Sequence, residues 1–186
     1  MQPRCALFGL ALVVVLGACG RAPEPTPATR STPVSAPAAS TVADASPTRT
    51  ATQLRMRIDG VEWRAAHDLF GAVNPTGHDR AVIIAGSRGG KSANEQSFNL
   101  TLLGVDAPGR HRVTSERPAS GAAQISNLDA QRFLAGNLFG YDLEVELLRR
   151  STNPDLIEAR FSGSLTANDG SQVAISDGHF VYTGTD

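Results

Sequence analysis

Apolar and polar residues alternate with a period of two through the C-terminal two-thirds of the chain, the pattern of strands with one buried face. Met56 and Ile58 alternate with Arg55 and Arg57, and Val61, Trp63 and Ala65 alternate with Glu62 and Arg64. Asp59-Gly60 lies between these runs. That dipeptide is favoured in two-residue hairpin turns, whose central residues need positive φ. Ala81 to Ala85 is apolar throughout, as a strand covered on both faces would be. Phe98, Leu100 and Leu102 make one apolar face, and Ile157, Ala159, Phe161 and Leu165 make another. Tyr141, Leu143, Val145 and Leu147 alternate with Asp142, Glu144 and Glu146. Asn168-Asp169-Gly170 reads as a turn, and Asp177-Gly178 as a second turn between Ile175 and Phe180.

These runs predict an all-β domain of seven or eight short strands, an antiparallel β-sandwich or partly closed barrel. Residues 128–138 read equally as a short helix capped by Asn127 or as a further strand. The domain is expected to span residues 54–186, enough chain for one core.

The N-terminus has a different pattern. Arg4 precedes an apolar run from Ala6 to Ala18, too short for the ~20 residues of a membrane-spanning helix but suited to a signal-peptide core. The run ends Leu16-Gly17-Ala18-Cys19, which closely resembles the lipobox of bacterial lipoproteins. The resemblance implies cleavage of residues 1–18 and attachment of lipid to Cys19. Gly20 stands where proteobacterial lipoproteins retained in the inner membrane carry Asp, so the same resemblance implies the outer membrane. The chain is expected there as a lipid-anchored protein facing the periplasm. Several acyl chains, at ~0.8 kcal/mol per buried CH₂, make such an anchor effectively permanent. Cys5 would leave with the signal peptide, so the folded domain would have neither disulfide nor thiolate chemistry.

Residues 19–53 form the third region. Between Gly20 and Thr52 lie six of the eleven prolines, among Ala, Ser and Thr and with no aromatic residue. Such a composition buries too little apolar surface to offset its ordering entropy and reads as a disordered tether. At ~3.1 Å per residue it reaches at most roughly 100 Å.

From Leu54 onward there are 13 Lys+Arg against 16 Asp+Glu, and no basic stripe shows along the chain. Nucleic acid is therefore not expected as a partner. Ala85-Gly86-Ser87-Arg88-Gly89-Gly90-Lys91-Ser92 satisfies a relaxed phosphate-loop pattern, but no helix follows to supply its N-terminus, so a hairpin loop is expected. His67-Asp68 and His78-Asp79 are four potential ligands in one apparent loop, and they could converge only if it folds back. No metal and no cofactor is expected. Asp142, Glu144 and Glu146 share one strand face, where cross-strand ion pairing with neighbours such as Arg160 accounts for them better than acid–base catalysis. No G-x-S-x-G occurs. Trp63 is expected in the core. Leu69, Phe70 and Arg88 are expected to form a partner-binding loop.

The opening Ile58-Asp59-Gly60-x-x-Trp63, with Phe161-x-Gly163 and Asp177-Gly178-x-Phe180 near the end, resembles uncharacterised bacterial lipoprotein β-domains. That resemblance carries no functional residue. The expectation for function is a non-enzymatic, membrane-anchored module for protein–protein interaction in the envelope, as accessory subunit or inhibitor. A carrier of a small apolar ligand in a barrel interior is the alternative, and a cell-wall hydrolase the third reading.

Overall fold

Positive φ at Asp59 (50°) and Gly60 (79°) folds the chain back on itself, pairing Ile58 with Val61 and Met56 with Trp63. Repetition of this device builds the molecule. The structure is a computed structural model that describes residues 51–91 and 94–184. The expectations for residues 1–50, Cys19 among them, lie outside the described residues.

Eleven strands follow one another: β1 (Gln53–Ile58), β2 (Val61–Arg64), β3 (His67–Val73), β4 (Ala81–Arg88), β5 (Gln96–Leu103), β6 (Gly109–Thr114), β7 (Gly121–Ser126), β8 (Leu134–Gly136), β9 (Tyr141–Thr152), β10 (Asp155–Thr166) and β11 (Gln172–Thr183). Among the described residues one 3₁₀ turn, Pro118–Ser120, precedes β7. The strands form two antiparallel sheets, β2-β1-β11-β10-β9-β6 and β3-β4-β5-β7-β8. Neither sheet closes, so the fold is a β-sandwich and not a barrel.

The inward faces of both sheets meet in one apolar cluster. Phe98 of β5 stacks on Phe161 of β10 with ring centroids 5.4 Å apart, which joins the two sheets at their middle. Trp63 is 1 % exposed and tilts against Phe98. Its indole N–H donates to Gln96 Oε1 at 2.9 Å, so the buried donor is satisfied. The Tyr141 hydroxyl of β9 donates to the Gly121 carbonyl of β7 at 2.8 Å, a second tie between sheets. Arg132 holds one end. It donates to Asp59 at 2.6 Å and Asp129 at 2.9 Å, while Asp59 also accepts from the Ala174 amide.

Three strands were not legible as strands, and β8 was one of the two readings left open for residues 128–138. Residues 67–73, read as loop, form β3, and β6 and β7 add to the expected set. β6 is largely polar, β7 is built of small residues, and β8 has three residues, so none shows a strong alternation. Residues 128–138 contain β8 and no helix. Asp177-Gly178 is not a turn. β11 runs through it, with Asp177 at φ 52° where the pairing to β1 and β10 shifts register. A bulge there, with another between Phe161 and Gly163 of β10, bends the long strands rather than ending them.

Candidate binding surfaces

The β3–β4 hairpin decides the fate of the histidines. His67 pairs with Ser87 at one end of it, and His78-Asp79 sit in the connection at the other. Seven residues of strand separate them, roughly 20 Å, so the four potential ligands do not converge. The structure instead brings His67 and Asp68 to Glu95, and one ligand atom from each lies within 4.8 Å of the others. This trio has the residue types to hold a divalent ion. It is already furnished with positive charge: Lys91 Nζ is 3.3 Å from Asp68. The imidazole bridges Asp68 at 2.8 Å through Nδ1 and the Gly89 carbonyl at 2.9 Å through Nε2. Two acceptors favour the doubly protonated ring. Hydrogen bonds to Asp68 and Gly89 raise the His67 pKa above 6.5, while His67 and Lys91 lower that of Asp68. The cluster thus clasps the β4–β5 connection to β3.

The glycine-rich stretch forms the end of β4 and the start of that connection, with Gly89 at φ 89° and β5 following at Gln96. It is a hairpin, and no helix follows the loop to present N–H groups to a phosphate.

Leu69, Phe70 and Arg88 are not on a loop. Leu69 and Phe70 lie in β3, the edge strand of the five-stranded sheet, and Arg88 ends β4. Period two then separates the first two: Leu69 packs against the core and Phe70 is 48 % exposed. Arg88 donates to the Glu62 carbonyl at 3.2 Å. A more pronounced apolar surface was missed in the sequence. Phe133, Leu138 and Phe139 are 57 %, 79 % and 42 % exposed and flank β8, the opposite edge of the same sheet. The signal was present as apolar residues in and just after the segment 128–138 left open between helix and strand, but only strand placement shows that they are exposed.

A groove of about 1040 Å³ lies on the outer face of the six-stranded sheet. Its lining includes Arg55, Arg57, Glu62, Arg110, Glu146, Arg160 and His179. The β9 carboxylates belong to this face and are engaged by β6. Arg112 grips Asp142 through two bonds of 2.7 and 2.6 Å and lies 3.8 Å from Glu144, while Arg110 lies 3.9 Å from Glu146. Ion pairing was the expected explanation, but the partners come from β6 and not from Arg160. Arg112 holds the Asp142 carboxyl below the usual range. Asp142 is thereby unsuited to act as a general acid near neutral pH.

No family model matches the chain, and no curated protein or solved structure shows significant similarity to it.

Proposed function

We propose that the chain is a lipid-anchored envelope protein that works by holding a partner protein, with no catalytic step of its own. The observation that carries this reading is the apolar segment around β8. Three large hydrophobic side chains, Phe133, Leu138 and Phe139, stand exposed within seven residues of chain. Clustered exposed apolar residues on a soluble domain mark protein contacts, and aromatic anchors dominate the energetics of such contacts. Phe70 would add to the contact only for a partner reaching the far edge of the same sheet. The lipobox-like Leu16-Gly17-Ala18-Cys19 supplies the anchor in this reading and residues 19–53 the reach.

A carrier of an apolar ligand needs space between the sheets. That space holds Trp63, Phe98, Phe180 and their neighbours, all buried. The interaction reading is therefore preferred.

In-cell crosslinking followed by purification of the full chain tests it. The wild type is expected to bring down a specific protein. Cys19→Ser is expected to lose that protein together with membrane association. Phe133→Ser with Leu138→Ser is expected to lose the partner while staying on the membrane. Retention of the same partner by the double variant would remove the β8 surface from the reading, and capture of no partner by any form would end it.

A further inference from the structure

The outer face of the six-stranded sheet carries an arrangement that the β8 surface does not explain, and Arg55, His179 and Arg160 of it line the groove while Arg64 flanks it. Register places Arg64 of β2 directly opposite Arg55 of β1, Arg55 opposite His179 of β11, and His179 opposite Arg160 of β10. Four adjacent strands thus present three arginines and a histidine in one cross-strand row, ~14 Å long at the usual strand spacing. Like charges set opposite each other destabilise a sheet unless something offsets them. Elsewhere on this face the offset is present, since Arg57 meets Asp177 at 3.4 Å and the β6 arginines meet the β9 carboxylates. Arg55, Arg64 and Arg160 form no ion pair with any described residue, and Arg160 leaves Glu146 opposite it to Arg110. Glu158 lies beside the row but is taken by Arg149 at 3.2 Å and His179 at 3.8 Å. Among the described residues, the three guanidiniums of the row have no carboxylate within ion-pair distance, although Glu62, Glu144, Glu146 and Asp177 line the same groove.

We propose that this row binds a phosphate group carried on a glycan. Arginine forks from neighbouring strands can share the several acceptor oxygens of one phosphate, whereas a carboxylate, with two oxygens, is satisfied by one fork. The groove is far larger than a lone phosphate. Beyond the row it offers Ser162, Ser176, Glu62 and Glu144, which suit sugar hydroxyls. No exposed aromatic side chain lines it, so it lacks the stacking platform of single-stranded nucleic acid. Nor does any exposed apolar side chain line it to meet the acyl chains of a lipid surface. The basic stripe that the linear sequence does not show is assembled by pairing β1 of the β1–β2 hairpin with β11, more than a hundred residues away. Burial and the adjacent Arg55 and Arg160 lower the His179 pKa, so a bound anion should raise it and binding should strengthen as pH falls. Glu158 opposes this shift from the side of β10, and Arg149 beyond it screens Glu158.

Calorimetry on the full chain in detergent tests the site with four probes: a disaccharide bearing one phosphate monoester, the same disaccharide without phosphate, inorganic phosphate, and single-stranded oligothymidylate. The phosphorylated disaccharide is expected to bind roughly tenfold or more tightly than each of the others, the bare disaccharide lacking the charge-assisted bonds and inorganic phosphate the sugar contacts. Arg55→Gln with Arg160→Gln is expected to abolish that preference without lowering Tm, since it relieves repulsion. Should that variant melt early, Arg55→Lys with Arg160→Lys keeps the charge, loses the fork and is expected to lose most of the affinity. Equal binding of the two disaccharides overturns the proposal, as does full affinity in both variants. Inorganic phosphate binding as tightly as the sugar phosphate would show an adventitious ion only. Tighter oligothymidylate would replace the glycan with nucleic acid. Loss of the sugar phosphate in the Arg55/Arg160 variant with the protein partner still captured separates this site from the β8 contact.

Discussion

A proton on His67 helps tie β3 to the β4–β5 connection through Asp68 and the Gly89 carbonyl. Its pKa is raised by Asp68 and the Gly89 carbonyl, so the stabilisation is complete below the unfolded value of about 6.5. It fades as pH rises through the higher folded value. Asp68 behaves oppositely: its contribution is present above 3.8 and fades as pH falls through its lowered folded pKa. The clasp is thus complete between those two limits. A proton NMR titration should find His67 above its ordinary pKa and Asp68→Asn should bring it down; an ordinary value in the wild type would falsify the clasp. Trp63 is the other residue whose removal should be felt widely. Trp63→Ala deletes a side chain 1 % exposed and leaves Gln96 without its donor, so a loss of roughly 3–5 kcal/mol is expected in urea unfolding. At this scale the sequence was readable where a residue's role is packing. Trp63 sits in phase with Met56 and Ile58, and all three are buried. It was unreadable where a role needs a partner distant in the chain, as Glu95 is from His67.

Strands explain which patterns could be read. β1, β5, β9 and much of β10 bury one face of a long strand, and their alternation is strong enough to locate them from sequence. β3 contains Gly71 and buries three successive residues at its end, which breaks the period of two. Gly71 has its own reason to be small, because a methyl group there would press on the Tyr182 ring. The bulges escape sequence reading for a related reason: Asp177-Gly178 has turn chemistry, and only pairing on both sides of β11 keeps the chain going forward. Gly163 belongs to the β10 bulge, at φ 148° and with the Asp142 carbonyl where a Cβ would stand. Gly163→Ala should cost about 1–3 kcal/mol by chemical denaturation through that clash. A neutral effect would mean the bulge relaxes freely.

One apolar cluster spans both sheets, so the described domain is expected to unfold as a unit. Trp63 fluorescence and far-ultraviolet circular dichroism should give coincident urea transitions, and separated midpoints would show the sheets parting in steps. The charge pattern also becomes intelligible only for the whole molecule. A domain with more acidic than basic residues along its sequence still gathers an unpaired arginine row, because β9 and β6 neutralise each other and leave Arg55, Arg64 and Arg160 over.

From its sequence alone this protein is all-β, with the inward residues of β1, β2, β5, β9 and β10 named and its tight turn at Asp59-Gly60 placed correctly. Those features depend on neighbours within a few positions, where period two and turn chemistry act. Tertiary structure decided the eleven-strand count, the open sandwich over the barrel, the exposure of Phe133, Leu138 and Phe139, and the cationic row. Each of these is set by which strands pair and at what register, and pairing between segments far apart in the chain depends on how whole faces fit, which local pattern does not encode.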